Sequence, residues 1–511
     1  MQQPATPPKG IASDDELIRL HSRLMEAEEA RLNRETGKAI TICRELLAKH
    51  PDYVGALQTL GLILADKGEP DNALGFLNQA LMLNPKDWKI LTAISGVYLQ
   101  LGATALAAQT LERAQQLNPG EASILVTLGE MYREEREYEL AADCHEKAYE
   151  LDKNLHDALV GFGLSCTHLG RYKEAADAFK THLAAEPSDF QTLFSLSQLP
   201  ANSINLDILA RLNEAETRGN RTEEFESAFA FAKSAAFDKA KRHADAWREL
   251  VPANRSIWLA NREEYLGDAQ TRREFLNYIR DYPASPFGDA SDVPGPISLF
   301  ILGPSRSGKT TIENILSGFP GVKRGYENPL IENSVRRTFQ TAGLVTRDRL
   351  VELPQGLDHL FREFYLADLN ERAASAAIFT NTHPGRIFDV MRLANAIPRT
   401  RFLFVKRDID DIMVRIFMKR YNAGHYYSYN LGSTREYVEW YYYMIDTCTQ
   451  KLPQICRVVN YEDIFENPQN IAKAVAELCG LPADAEKFRA PADDRGASLP
   501  YREMVKETLA S

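Results

Sequence analysis

The chain has 511 residues, 60 of them basic and 71 acidic, giving a formal net charge of −11; 44% are hydrophobic and 26% charged. This length allows two to four folded domains, and the balance is ordinary for folded soluble protein. The acidic excess argues against a general nucleic-acid binder, because it repels phosphate at long range, although a local basic pocket can still take one anionic ligand.

The N-terminal MQQPATPPKGIASDDE is polar and proline-rich, which predicts a disordered tail over residues 1–14 and no signal peptide. No 18-residue apolar run appears, so no membrane span is expected. The six cysteines (Cys43, Cys144, Cys166, Cys448, Cys456, Cys479) form no CxxC pair. That argues against a zinc site and a disulfide scaffold, and for a reducing, cytoplasmic setting.

Residues 15–186 repeat. Pro51, Pro85, Pro119, Lys153 (after Leu-Asp) and Pro187 are spaced by 34 residues. The same period carries a small residue at Gly61, Ser95, Gly129 and Gly163, and alanine at Ala39, Ala73, Ala107, Ala141 and Ala175. It also carries Ala80, Ala114 and Ala148, and glycine at Gly68, Gly102 and Gly170 with Arg136 in the fourth copy. Small residues allow two antiparallel helices to cross closely, the glycine ends a helix in the left-handed conformation, and the proline starts the next unit. The pattern resembles the tetratricopeptide repeat in about five copies. One unit cannot bury its own face, so the copies predict an α-solenoid. The resemblance implies a surface for a protein or peptide partner; a rigid arm supporting the next domain is the alternative.

Residues 187–285 keep helical periodicity but lose the 34-residue register, as in SDFQTLFSLSQL, EEFESAFAFAKSAAF and KRHADAWRELVPANRSIWL. They predict a helical connector, with AFAFAKSAAFDKAKRHADAWRE as one further repeat-like pair.

SPFGDASDVPGP, Ser285 to Pro296, marks a boundary, and residues 286–511 change period. ISLFILG reads as a buried strand, GPSRSGKTT (Gly303–Thr311) as a glycine loop, and IENILSG as a helix. Strand, glycine loop and helix form an anion cradle, in which backbone N–H groups and the helix dipole face the ligand. Further strands are expected at Ala376–Asn381, Arg401–Arg407 and Cys456–Glu462, with helices between. The whole chain is therefore expected to be multidomain α + α/β: an α-solenoid followed by a P-loop-like α/β domain with a mainly parallel sheet.

Two chemistries fit the loop. Gly303-x-x-x-x-Gly308-Lys309-Thr310 satisfies the nucleoside-triphosphate P-loop pattern, with Lys309 on phosphates and Thr310 on magnesium. An ATP-dependent kinase or NTPase also needs a strand-end acid, and Asp408 comes only after Lys406 and Arg407. The other reading covers more of the chain. GPSRSGKTTIENIL resembles the 5′-phosphosulfate loop of sulfotransferases, above all tyrosylprotein sulfotransferases and bacterial proteins that fuse tetratricopeptide repeats to a sulfotransferase domain. The matching positions are Gly303, Arg306, Ser307, Gly308, Thr310, Glu313, Ile315 and Leu316; Ser305 replaces a proline and Lys309 a threonine. KRDIDDIMVRIFMKRY is similar to the 3′-phosphate segment, with Arg407 on the arginine that holds that phosphate and Arg415 where the family has serine. NAGHYYSYNL and VVNYEDIFENPQNIAKAVAELCGLP resemble later segments of the fused proteins, with Asn460 in place of an arginine, so the resemblance runs from Ile297 to about Pro482.

This resemblance implies transfer of a sulfuryl group from 3′-phosphoadenosine 5′-phosphosulfate (PAPS) to a hydroxyl acceptor, such as a protein tyrosine, without a metal. Arg306, Ser307, Gly308, Lys309, Thr310, Thr311, Arg407 and Arg415 are the expected donor-binding residues, and Arg306 also acts in catalysis. Two residues compete for the base: Glu327, placed like the family's catalytic glutamate, and His383 in TNTHPG. The family's second cation falls on Thr382. That departure keeps open a third reading, a non-catalytic adaptor with a decayed sulfotransferase domain.

Overall fold

The computed structural model describes residues 14–101, 103–200, 208–218, 223–283, 295–421, 424–488, 495–496 and 498–510. The expected tail (but for Asp14), Gly102 and most of the boundary segment lie outside these residues. The chain divides into two compact units, Met1–Pro187 and Ser188–Ser511.

The first unit is an all-helical solenoid. Its helices are α1 (Asp14–Leu32), α2 (Thr36–Lys49), α3 (Val54–Asp66), α4 (Pro70–Leu83), α5 (Trp88–Gln100), α6 (Thr104–Leu117), α7 (Ala122–Glu134), α8 (Tyr138–Leu151), α9 (His156–Leu169) and α10 (Tyr172–Ala185). They pair as five helix–turn–helix units, and the recurrent alanines at 39, 73, 107, 141 and 175 are fully buried. The turn residues Arg34, Gly68, Arg136 and Gly170 all have φ between 60° and 79°, so the left-handed stop is kept even where glycine is not.

The small residue of each first helix makes room for one large residue of the second. A Cβ on Gly61 would stand 2.6 Å from Leu77 Cγ, and one on Gly163 would stand 2.5 Å from Phe179 Cε1. Leu111 is the same position in the intervening unit. In the fourth unit that knob is His145, wedged against Gly129 and Gly161. It is fully buried, and neither ring nitrogen has a hydrogen-bond partner among the described residues. Burial depresses its basicity from the ordinary 6.5 to about 4, while Glu130, 3.5 Å from Nε2, pulls the other way. The unfolded chain takes up that proton first as pH falls, so His145 costs the repeats stability as pH drops from 6.5 to about 4, by up to roughly 3 kcal/mol. His145→Leu is expected to stabilise the first unit by ~1–3 kcal/mol at neutral pH and to flatten its acid limb. Urea unfolding followed at pH 7 and pH 5 checks this; equal losses in both proteins on acidification would refute it.

The second unit begins with helices and ends in a layered α/β fold. Its elements are α11 (Phe190–Gln198), α12 (Ile208–Arg218), α13 (Glu223–Lys239), α14 (His243–Ala260), α15 (Arg262–Asp281), β1 (Ile297–Leu302), α16 (Lys309–Leu316), β2 (Val322–Lys323), α17 (Leu330–Thr341), α18 (Asp358–Ala373), β3 (Ile378–Asn381), α19 (Val390–Ala396), β4 (Thr400–Lys406), α20 (Ile409–Phe417), α21 (Leu431–Lys451), β5 (Cys456–Asn460), α22 (Asp463–Glu466), α23 (Pro468–Cys479) and α24 (Arg502–Ala510). Helices α11 to α15 precede the first strand. Phe231 of α13 and Trp247 and Leu250 of α14 share a core with Met413, Phe417 and Tyr501, so this helix pair is built into the second unit.

The sheet is parallel throughout, in the order β2-β3-β1-β4-β5. Strand residues alternate between two apolar layers. Phe300, Leu302, Phe402 and Phe404 pack with α17, α18, α19 and α21. Leu299, Ile301, Leu403 and Val405 pack with α16 and α23. Burial on both faces explains why these strands read as continuous apolar runs. The two-residue β2 is too short for periodicity to reveal. β1 sits centrally, with β3 on one side and β4 on the other, so the loops leaving β1 and β4 open at a topological switch point. No described helix is long and apolar enough to cross a membrane.

Candidate functional site

The site is assembled from four segments at the carboxyl edge of this sheet. The first is the glycine loop between β1 and α16. A Cβ on Gly303 would lie 2.5 Å from Val405 O and 2.4 Å from Ser307 Oγ; one on Gly308 would lie 2.0 Å from Tyr461 Cδ2. Gly308 (φ 95°) and Arg306 (φ 66°) both take the left-handed conformation that turns the loop into the helix. The N–H groups of Lys309, Thr310 and Thr311 open α16 and have no place in its own ladder. Ser307 Oγ is buried without a hydrogen-bond partner among the described residues, whereas Thr310 is exposed and Thr311 half-buried. Lys309 is only 6% exposed and donates from Nζ to Pro304 O at 3.0 Å. Burial pushes its ammonium down to about 8; Glu327 and Glu313 oppose this, and Arg306 reinforces it.

The second segment carries Glu327. Its placement is set by Glu313, a fully buried carboxylate on α16. Glu313 accepts from Tyr326 N at 3.1 Å, from Thr380 Oγ1 on β3, and from Arg324 Nη2 at 3.3 Å. Burial raises its pKa, while these donors and the Arg324 charge hold it down. Gly325 N donates to Thr380 Oγ1, Thr382 N donates to Tyr326 O, and Arg324 stacks on the Tyr326 ring 4.1 Å away. Tyr326 itself has φ 55°. The turn is thus fastened to the loop helix and to the end of β3, and the exposed Glu327 side chain projects from it.

The third segment leaves β4. Arg407, nearly fully buried, donates from Nε to Asp411 Oδ2 at 2.9 Å and lies 4.2 Å over the Tyr461 ring. Arg415 donates to the same Asp411 oxygen at 3.2 Å. Asp411 Oδ1 accepts from Ser498 N at 3.0 Å, which brings Ser498 to the arginine pair. Asp408 instead caps α20, accepting from Asp411 N at 2.9 Å. The ion pair of Arg407 is therefore with the buried Asp411. Tyr461 touches both Gly308 and Arg407, so one ring links the loop to the arginines.

The fourth segment follows α20. Tyr421 Oη and Ser305 Oγ share a hydrogen bond of 2.8 Å, and Lys419 Nζ lies 5.2 Å from the centre of the Tyr421 ring. Lys419 belongs to the Arg306, Lys309 and Glu327 cluster by charge. His425 packs 5.0 Å from Tyr421, and burial lowers its pKa.

Of the residues predicted from sequence, Arg306, Lys309 and Glu327 come together as charge neighbours, and Arg407 and Arg415 share one carboxylate. His383 stands at the end of β3 and caps the following turn, its Nδ1 accepting from Gly385 N at 3.1 Å. Thr382 is buried. In the sequence, Arg415, Lys419 and Arg420 fall within two helical turns, a pattern that fits a solvated face as well as a pocket lining, and nothing singles out Tyr421, Tyr461 or Asp411. The available signals were the acidic residue four places after Arg407, and an aromatic residue, Tyr461, near the end of the expected Cys456–Glu462 strand.

Residues 296–485 match the sulfotransferase family. Residues 64–128 and 124–159 match the tetratricopeptide repeat. No curated protein matches the chain. Among solved structures the chain is similar to MamA, at 24% identity over 32% of this chain and 96% of MamA, with a TM-score of 0.30. It is also similar to a tetratricopeptide repeat protein from Parabacteroides merdae ATCC 43184, at 18% identity over 46% of this chain and 91% of that one, with a TM-score of 0.34. A third is YrrB, a TPR protein with an unusual peptide-binding site, at 17% identity over 40% of this chain and 95% of that one, with a TM-score of 0.30. The chain joins tetratricopeptide repeats to a domain of the sulfotransferase family.

Proposed function

We propose that this chain moves a sulfuryl group from PAPS to a hydroxyl acceptor, a protein tyrosine being the acceptor class the resemblance implies, with the repeats binding a protein or peptide partner. The observation that carries this reading is the pairing of two cationic clusters at one sheet edge. Arg306 and Lys309 stand with the loop amides and one carboxylate, Glu327; Arg407 and Arg415 stand beyond Tyr461. A donor with a 5′-phosphosulfate and a separate 3′-phosphate needs two such places, and the Ser307 hydroxyl, without a hydrogen-bond partner among the described residues, offers a further donor to the first.

In this reading Glu327 takes the acceptor proton as the acceptor oxygen forms its bond to sulfur. The sulfur–oxygen bond to the 5′-phosphate breaks, and the electron pair stays on that phosphate oxygen. Arg306, Lys309 and the first amides of α16 meet the charge growing there, where preorganised donors act most strongly. Arg407 and Arg415 hold the 3′-phosphate through charge-assisted hydrogen bonds.

The test is ligand-induced stabilisation of the full chain. Adenosine 3′,5′-bisphosphate at 100 times its dissociation constant is expected to add ~2.7 kcal/mol to the second unit, and ATP with magnesium no comparable shift. A shift with ATP–magnesium alone would replace this reading by the kinase one. No shift with either would favour the adaptor.

A further inference from the structure

The sulfotransferase reading leaves one chemical gap: where its family supplies a second cation beside the transferring group, this chain has the buried Thr382. We propose that Lys419 fills that gap, as a catalytic cation that contacts the sulfuryl group or its bridging oxygen during transfer. The inference rests on the proposed donor and adds a residue that the glycine loop and the 3′-phosphate segment do not account for.

The backbone holds Lys419 at the site from both sides. Before it, Phe417 O accepts from Asn254 Nδ2 at 3.1 Å, anchoring the end of α20 on α14. After it, Tyr421 N donates to Tyr429 Oη at 3.0 Å, Tyr429 Oη donates back to Tyr421 O at 2.7 Å, and Tyr421 Oη is bonded to Ser305 in the loop. Lys419 is therefore two residues from a tyrosine locked to the loop, with its Nζ near that tyrosine's ring. Its titratable neighbours come from other segments of the site. Arg306 and Lys309 belong to the loop and α16, Glu327 to the turn after β2, and His425 to the segment before α21. Arg306 is the chief cause that presses the Lys419 ammonium down to about 7, with burial second and Glu327 opposing. Three cations around one carboxylate, two of them lysines held below their ordinary range, form a place that gains when an anion enters. Charge that grows on the bridging oxygen at the transition state meets that demand better than the ground state does.

The experiment compares wild type, Lys419→Met and Lys419→Arg in the full chain. It measures release of adenosine 3′,5′-bisphosphate from PAPS, with water and with a tyrosine-containing peptide as acceptors, alongside bisphosphate affinity and melting temperature. Lys419→Met is expected to lower kcat by ~10²-fold. Its bisphosphate affinity and melting temperature should stay near wild type, because the bisphosphate lacks the transferring group. Lys419→Arg, or added methylammonium with Lys419→Met, should recover part of the rate. Unchanged kcat in Lys419→Met would overturn the proposal. So would a parallel fall of kcat, bisphosphate affinity and melting temperature that arginine does not rescue. If the wild type bound no bisphosphate, the donor reading itself would fall, a result separable from failure of Lys419 alone.

Discussion

Glu327→Gln is expected to leave adenosine 3′,5′-bisphosphate binding intact and to cut turnover by ~10²–10⁴-fold, the range for losing a general base. The substitution keeps the side chain's size and removes only its capacity to take a proton. The turn that bears it is held by neighbours: Glu313 binds the Tyr326 amide, and Thr380 and Thr382 bind the backbone on either side. Glutamine should therefore sit where glutamate sat, and a change in kcat alone is the signature to look for. His383 is the competing base. Its Nδ1 already accepts from the Gly385 amide, so His383→Gln should cost less in kcat than Glu327→Gln. Unchanged turnover in Glu327→Gln would remove this carboxylate from the mechanism and pass the role to His383.

Arg407→Ala should weaken bisphosphate binding by ~10–10²-fold, the equivalent of one hydrogen bond to a charged group. The same change strips a buried carboxylate of its closer partner. Asp411 would keep Arg415 and the Ser498 amide, and the domain should lose stability, at most by the ~3–5 kcal/mol typical of breaking a buried ion pair. Adding Asp411→Asn separates the two effects: the double variant should regain stability without regaining affinity. An unchanged dissociation constant in folded Arg407→Ala protein would refute the 3′-phosphate assignment.

Much of this architecture was legible in sequence because its cause is local or periodic. The repeats announce themselves through a steric rule repeated every 34 residues, and the exceptions obey it too: Arg136 adopts the backbone of the glycine it replaces. The four main strands were readable because burial on both faces gives each a short apolar run, LFIL in β1 and FLFV in β4 being the clearest. Lys419 was not readable in the same way. It lies in a run with Arg415 and Arg420, and helical spacing alone does not separate a cation that turns to solvent from one that turns to the loop. The choice is made by Tyr421 and Ser305, which are 116 residues apart in sequence. Glu313 was visible as a motif residue, but its work in fastening the Glu327 turn depends on Arg324, just past the unforeseen β2, and on Thr380, which is brought to it by the crossover from β2 to β3.

The Tyr461 ring, pressed against Gly308 and lying under the Arg407 guanidinium, acts as a spacer between the two. It sets the gap between the glycine loop and the arginine pair much as a shim sets the jaws of a calliper. A glycine is obligatory on one jaw because the shim leaves no room for a methyl group, and an arginine lies flat on the other because the shim offers it a face. The two jaws therefore form a single gauge: a displacement of either one misaligns the other, although Gly308 and Arg407 are about a hundred positions apart in the chain.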